Sequence, residues 1–93
     1  MLSKLPIDLG KIKKENLDKE ILRLGMIAEL DAISLYEQLA AMTENENIKK
    51  ILLDIAKEEK THVGEFETLL FQIDEEQQKE LNEGKREVEE LTG

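Results

Sequence analysis

The chain contains no cysteine, so disulfides, thiolate metal sites and cysteine nucleophiles are excluded together. Its single proline, Pro6, lies ahead of any regular pattern. Long apolar runs are missing too. Nothing approaches the ~18–20 residues that cross a bilayer, and the opening "MLSKLPIDLG" lacks the apolar stretch of a signal peptide. An internal, cytosolic location is the expectation. Basic residues are in the minority, 13 against 22 acids for a net charge of −9. That balance argues against nucleic acid and against anionic membrane surfaces as partners. It leaves cations and basic protein surfaces, beside the plainer reading that acidity keeps a helical protein soluble. What is present is 93 residues, 40% hydrophobic and 38% charged, enough for one small domain with a thin core.

Residues 1–14, with Pro6 and Gly10, read as an irregular N-terminal arm, and residues 15–93 as a helical hairpin with a C-terminal helical segment. From Asn16 to Met42 apolar residues recur at intervals of three and four with one glycine and no proline. The polar stretch "TENENIKK" ends this pattern. Thr43 and Glu46 have the spacing of a capping box, with Thr43 as the N-cap of a second helix that runs to about Ile73. Asp74 offers the cap of a third, polar segment, which Gly84 is expected to interrupt and Gly93 to terminate. The expected fold class is all-α: an antiparallel two-helix hairpin plus a short C-terminal helix, dimerising into a four-helix bundle.

The second helix carries a seam at Ile48, Leu52, Ile55, Glu59, His62, Phe66, Leu69 and Ile73, spaced alternately by four and three. Six of these eight positions are apolar, as in a coiled coil. The exceptions, Glu59 and His62, fall in the middle of the stripe, and His62 is the one histidine in the chain. The first helix shows the same anomaly along Leu22, Gly25, Glu29, Ala32, Tyr36 and Leu39, with Glu29 as an acid on an apolar seam. Gly25 and Ala32 are read as leaving room beside its carboxylate. With the turn near residue 45, Glu29 stands 16 residues before it and Glu59 and His62 stand 14 and 17 after it. At about 1.5 Å per residue, all three lie ~21–26 Å from the turn and meet at one level.

Carboxylates on a buried seam need compensation, since even after relaxation the penalty is several kcal/mol per charge. A cation would supply it, and carboxylate oxygens with an imidazole nitrogen suit iron, manganese or zinc. Glu at i and His at i+3 project from one helix face, as in di-iron carboxylate bundles. Spacing alone is weak, because 17 of 93 residues are glutamate. Placement on the seam, with Glu29 at the same depth, carries the metal reading. The competing reading is a core histidine hydrogen-bonded to Glu59 or Glu29. A two-metal centre needs four carboxylates and two imidazoles, so one hairpin is half a site. Two hairpins paired about a two-fold axis complete it, each contributing Glu29, Glu59 and His62.

"AELDAISLYEQLA" (28–40) followed by "EEKTH" (58–62) resembles the encapsulated ferritins, the short two-helix branch of the ferritin-like superfamily. The resemblance implies a ferroxidase in which Glu29, Glu59 and His62 bind two irons between paired chains, with Tyr36 close by. It also implies a ring of five dimers held as cargo inside a cytoplasmic encapsulin shell. Glu29 is the expected bridging ligand, Glu59 and His62 are terminal ligands, and Tyr36 is a hydrogen bonder or radical quencher. O₂ would take one electron from each of two Fe(II) ions. Of the outer carboxylates thought to guide iron inward, Asp31 matches one, whereas Ala28 stands in place of the other and Leu35 replaces a tryptophan of some members. No shell-docking peptide precedes the end at "EELTG", so an arrangement fused upstream of the shell protein is compatible. Absence of cysteine rules out a rubredoxin module, and one Glu-x-x-His rules out a complete single-chain rubrerythrin site.

Glu65 is read as solvated or supporting rather than a ligand, and Met26 and Met42 as packing residues. The acids of "NEGKREVEE" are read as a solvated face or a contact between neighbouring dimers. Asp31, Glu37 and Glu58 are expected to attract cations without binding them tightly. The alternative function is a non-enzymatic dimer stapled by Zn(II) or Mn(II), and a third is a plain helical adaptor with a buried Glu–His bond.

Overall fold

The structure, a computed structural model, describes residues 8–93. Helix α1 spans Leu17–Met42, α2 spans Glu46–Ile73 and α3 spans Glu75–Thr92, preceded by single 3₁₀ turns at Leu9–Lys11 and Lys14–Asn16. No strand occurs among the described residues. Pro6 lies outside the described residues. Helices α1 and α2 pack as an antiparallel hairpin, and α3 touches it mainly through α2.

The hairpin turn is built by a different cap from the one the sequence suggests. Asn45, not Thr43, caps α2: its Oδ1 accepts from the amides of Asn47 at 3.0 Å and Ile48 at 3.1 Å. Thr43 ends α1 instead, its amide donating to the Leu39 carbonyl at 3.2 Å. Its hydroxyl accepts from the Asn45 amide at 3.2 Å. Asparagine caps at least as well as threonine. A helix opened by Thr43 would leave no non-helical residues with which to reverse the chain. At the other end Asp74 alone separates α2 from α3. Its amide donates to the Leu70 carbonyl at 2.9 Å, and its Oδ1 accepts from the Gln77 amide at 3.1 Å. Arg23 of α1 reaches the same carboxylate at 3.2 Å and holds Glu20 at 2.9 Å.

Gly84 does not interrupt α3, which is continuous over 18 residues. One helical glycine costs only about 1 kcal/mol relative to alanine. That cost is opposed by the Asp74 cap and by ion pairs of Arg86 with Glu83 and Glu90. The Arg86 guanidinium also holds the Glu83 carboxyl below the usual carboxylate range. Gly93, at φ +82°, closes the helix through its amide to the Glu89 carbonyl at 3.0 Å. Only glycine adopts that backbone conformation without strain.

The buried residues of the hairpin correct the seam read from the sequence. Ile33 and Ala40 of α1 and Ala56 and Leu70 of α2 are buried. They lie roughly 50–90° around each helix from the mean direction of the Glu29 and Glu59–His62 stripes, at 100° per residue; Leu24 of α1 is buried as well, on the other side of its stripe. The seam itself is only half covered: Ile48 is 51% and Leu69 49% exposed, with Leu39 and Ile73 similar. A hairpin has one partner per helix and so one fully buried stripe, whereas spacing reveals every apolar position without saying what covers it. The seam is therefore the shoulder of the α1–α2 contact, open on its outer side.

Asp74→Ala removes the α3 cap and the Arg23 partner together. Stability should fall by about 1–2 kcal/mol, read from the urea midpoint. Amides 75–78 should exchange faster while those of α1 keep their protection; unchanged exchange at 75–78 would mean that α3 is held by its apolar contacts.

Candidate metal centre

Glu29 descends from α1, and Glu59 and His62 rise from α2 one turn apart. Antiparallel packing brings the three to one level, with one ligand-type atom from each within 4.8 Å of the others. The Nδ1 of His62 lies 3.4 Å from Oε2 of Glu29 and 3.4 Å from Oε2 of Glu59. The carboxylate side chains are 20% and 19% exposed and the imidazole 44%. An open cleft lined by Glu29, His62, Glu65, Phe66 and Leu69 leads to them.

The donor set fits a cation. Two donors 3.4 Å apart, each about 2.1 Å from one ion, subtend an angle of about 108°, which ordinary coordination accommodates. The charges favour the same occupant. Among the described residues neither carboxylate has a lysine or arginine partner: Lys60 pairs with Glu37 at 3.1 Å, and Arg23 with Glu20 and Asp74. Even a fully protonated His62 leaves the trio one negative charge in excess.

The Rubrerythrin family model matches residues 20–92. The crystal structure of the encapsulated ferritin domain from Pyrococcus furiosus superposes with a TM-score of 0.85 at 56% identity, covering 100% of this chain and 97% of that one. The chain belongs to the Rubrerythrin family, as an encapsulated ferritin. A ferritin-like–encapsulin shell fusion protein of Pyrococcus furiosus is 58% identical over 96 aligned residues, which take in 100% of this chain and 28% of that protein. The encapsulin nanocompartment cargo protein EncC of Myxococcus xanthus is 43% identical over 56 residues, 60% of this chain and 43% of that one. The chain thus spans less than half the length of either relative.

Other residues singled out in the sequence fall around the three. In this encapsulated ferritin Tyr36 is half-buried two turns beyond Glu29 on α1, and its hydroxyl makes no hydrogen bond to Glu29, Glu59 or His62. Asp31 is half-buried and stands outside the cluster. Glu65 is exposed at the rim of the cleft. Glu37, expected to attract cations, is engaged by Lys60 instead. Among the described residues no helix is long and apolar enough to cross a membrane.

Gly25 has a different role from the one its small size suggested. A Cβ there would lie 2.9 Å from two ring carbons of Phe66 and 3.1 Å from a third. The room it leaves is filled by a ring, not kept for the carboxylate. The signal was present in the sequence, since Phe66 lies four residues after His62 as Gly25 lies four before Glu29 in an antiparallel pair.

Glu59→Leu/His62→Leu replaces two ionisable residues by apolar ones on the seam. The metal-free double variant should be more stable than the wild type, by thermal melting. Zn(II) at a hundredfold its Kd should stabilise the wild type by about 2.7 kcal/mol and leave the variant unmoved. Equal responses of the two would make Glu59 and His62 a structural pair.

Proposed function

We propose that this encapsulated ferritin is a ferroxidase that oxidises Fe(II) to Fe(III) with O₂ at a di-iron site shared by two chains. The observation that carries the reading is the cluster of Glu29, Glu59 and His62 on a seam that the hairpin itself leaves half open. A second hairpin laid on that seam about a two-fold axis would bury its apolar shoulders and bring four carboxylates to two imidazoles. Two divalent cations balance four carboxylates with neutral imidazoles, and nothing else among the described residues does so. The paired chains form the ring of five dimers that the family resemblance implies.

The substrate is Fe(II), and the chemistry iron supplies is one electron per ion: two ions together give O₂ two electrons, which with two protons make hydrogen peroxide. The chain's residues bind and orient. Glu29, the α1 member of the cluster, would be the ligand shared between the ions, one such carboxylate coming from each chain. Glu59 and His62, on one turn of α2, hold a single ion from one side. Hard carboxylate oxygens favour the ferric product over the ferrous substrate and so drive the electron loss. Tyr36, which makes no hydrogen bond to the three ligands, is left with the radical-quenching role, and Asp31 is the candidate for guiding Fe(II) inward. The named associations of the two relatives with encapsulin support a place inside an encapsulin compartment, as cargo or as part of a shell fusion, with the oxidised iron passed on for storage.

Aerobic addition of a few Fe(II) equivalents per chain tests the proposal. Oxidation by the wild type should exceed that of a protein-free control, and His62→Ala should fall to the control rate, a larger loss than the roughly 10–100-fold caused by removing a residue that only orients a ligand. Metal should also shift the sedimentation of the wild type from monomer to dimer or larger, and not that of His62→Ala. Equal oxidation rates in all samples would reject the enzyme and leave a redox-inert staple of Zn(II) or Mn(II).

A further inference from the structure

We propose that Gly25 and Phe66 form the positioning device of the metal centre: the Phe66 ring, seated on the bare Gly25 backbone, sets how closely α1 and α2 approach at the layer next to Glu29, Glu59 and His62. The proposal rests on the metal reading of those three residues and names what holds them in reach of one ion.

The geometry is specific. Along α2, Phe66 is the next seam residue after His62, one turn away; along α1, Gly25 is the seam residue one turn before Glu29. Because the helices run antiparallel, the two form the layer directly adjoining the charged one. The ring is so close to Gly25 that an alanine Cβ would meet three of its carbons at 2.9, 2.9 and 3.1 Å. Real Cβ atoms do not approach that closely, so even one methyl group forces a change. Gly64 and Gly84 differ: nothing lies within 4 Å of a Cβ added at either. Gly25 is the interior helical glycine whose missing side chain is occupied by a neighbour.

Two movements make room for the methyl group. The helices can spread, which pulls Glu29 on α1 away from Glu59 and His62 on α2. Alternatively the ring can swing into the open cleft, whose other walls include Glu29, His62 and Leu69. Both movements reach the metal ligands. The contacts between His62 Nδ1 and the two carboxylates, at 3.4 Å, tolerate little further separation before the donors cannot share an ion whose bonds are about 2.1 Å long. Helix propensity acts in the opposite direction, since alanine favours a helix over glycine. A loss of metal affinity in Gly25→Ala with helix content retained therefore cannot come from propensity.

Neither residue is a catalytic residue, and the readout is metal binding rather than turnover. Co(II), which is stable in air and reports its ligand geometry in visible absorption, is titrated into the 93-residue wild type, Gly25→Ala, Phe66→Leu and the double variant. Glu59→Gln serves as the ligand control, and each protein's melting temperature is measured alongside. Gly25→Ala should bind Co(II) about tenfold or more weakly, with an altered visible spectrum, in the range seen for residues that orient ligands. Phe66→Leu alone should weaken binding about threefold, by analogy with milder losses of ligand support. In the double variant the added methyl occupies the space the smaller side chain vacates, and affinity should return to within about threefold of wild type, a coupling expected only of contacting residues. Wild-type affinity and spectrum in folded Gly25→Ala, or strictly additive losses in the double variant, would overturn the positioning role. If Gly25→Ala does not fold, Phe66→Leu decides alone, and wild-type affinity there overturns the proposal. Undiminished binding by Glu59→Gln would reject the metal centre and this proposal with it, an outcome distinct from failure of the positioning role alone.

Discussion

Two carboxylates face one imidazole across the contact of α1 and α2, and protonating the imidazole does not bring the trio to neutrality. In the isolated hairpin this imbalance is tolerable, because water reaches all three side chains and screens them. It becomes costly only when the seam is covered. A dry seam with unpaired carboxylates would forfeit several kcal/mol per charge, more than the flanking apolar contacts readily return. Cover and cation are therefore linked: whatever buries this face must bring positive charge with it, and the described residues hold no basic side chain against the trio.

The apolar surface makes the complementary demand. Among the described residues five hydrophobic side chains are buried, while large ones such as Leu39, Ile48, Ile51 and Leu69 stay substantially exposed. Scattered exposed leucines need no explanation. A row of them along both edges of one seam, continuous with a half-covered ion cluster, does. The hairpin is stabilised by a thin stripe of small and branched residues that lets α1 and α2 approach closely, and its outer shoulder is left for a second element. Proposed dimer and proposed metal site are thus two uses of one face, each of which makes the other affordable in free energy.

Much of this was legible in the chain itself. The helix limits, the Asp74 and Gly93 caps and the shared depth of Glu29, Glu59 and His62 follow from spacing and from 1.5 Å per residue. Three features were not legible, for physical reasons. Thr43 and Asn45 are both competent caps, and the choice depends on how many residues the chain needs to turn back. Apolar periodicity names every position that some neighbour will cover but not which neighbour, so the half-open seam was taken for the buried stripe. The spacing puts Gly25 and Phe66 at one level, but that the ring and not the nearest carboxylate fills the space is a tertiary fact that spacing does not carry. Gly84 shows the reverse case: a local helix breaker overridden by capping and ion pairs.

The position of the ion cluster within the seam adds a last constraint. A slip of α2 by one heptad in one direction would set Glu29 against Phe66 and Leu69; in the other it would meet Leu52 and Ile55. Either register strands Glu29 among apolar side chains and does the same to Glu59 and His62 on the opposite helix. Apolar layers alone would distinguish these registers poorly, since leucine and isoleucine repack at modest cost. Once the seam is covered, the charged layer discriminates strongly, because a misplaced carboxylate then loses both water and partner. The Gly25–Phe66 layer acts in the same sense by shape: one heptad away, the ring would meet a side chain where it now meets none. The residues that make the candidate site chemically competent are thus also those that admit a single alignment of the two helices, so register and site are specified by the same few positions.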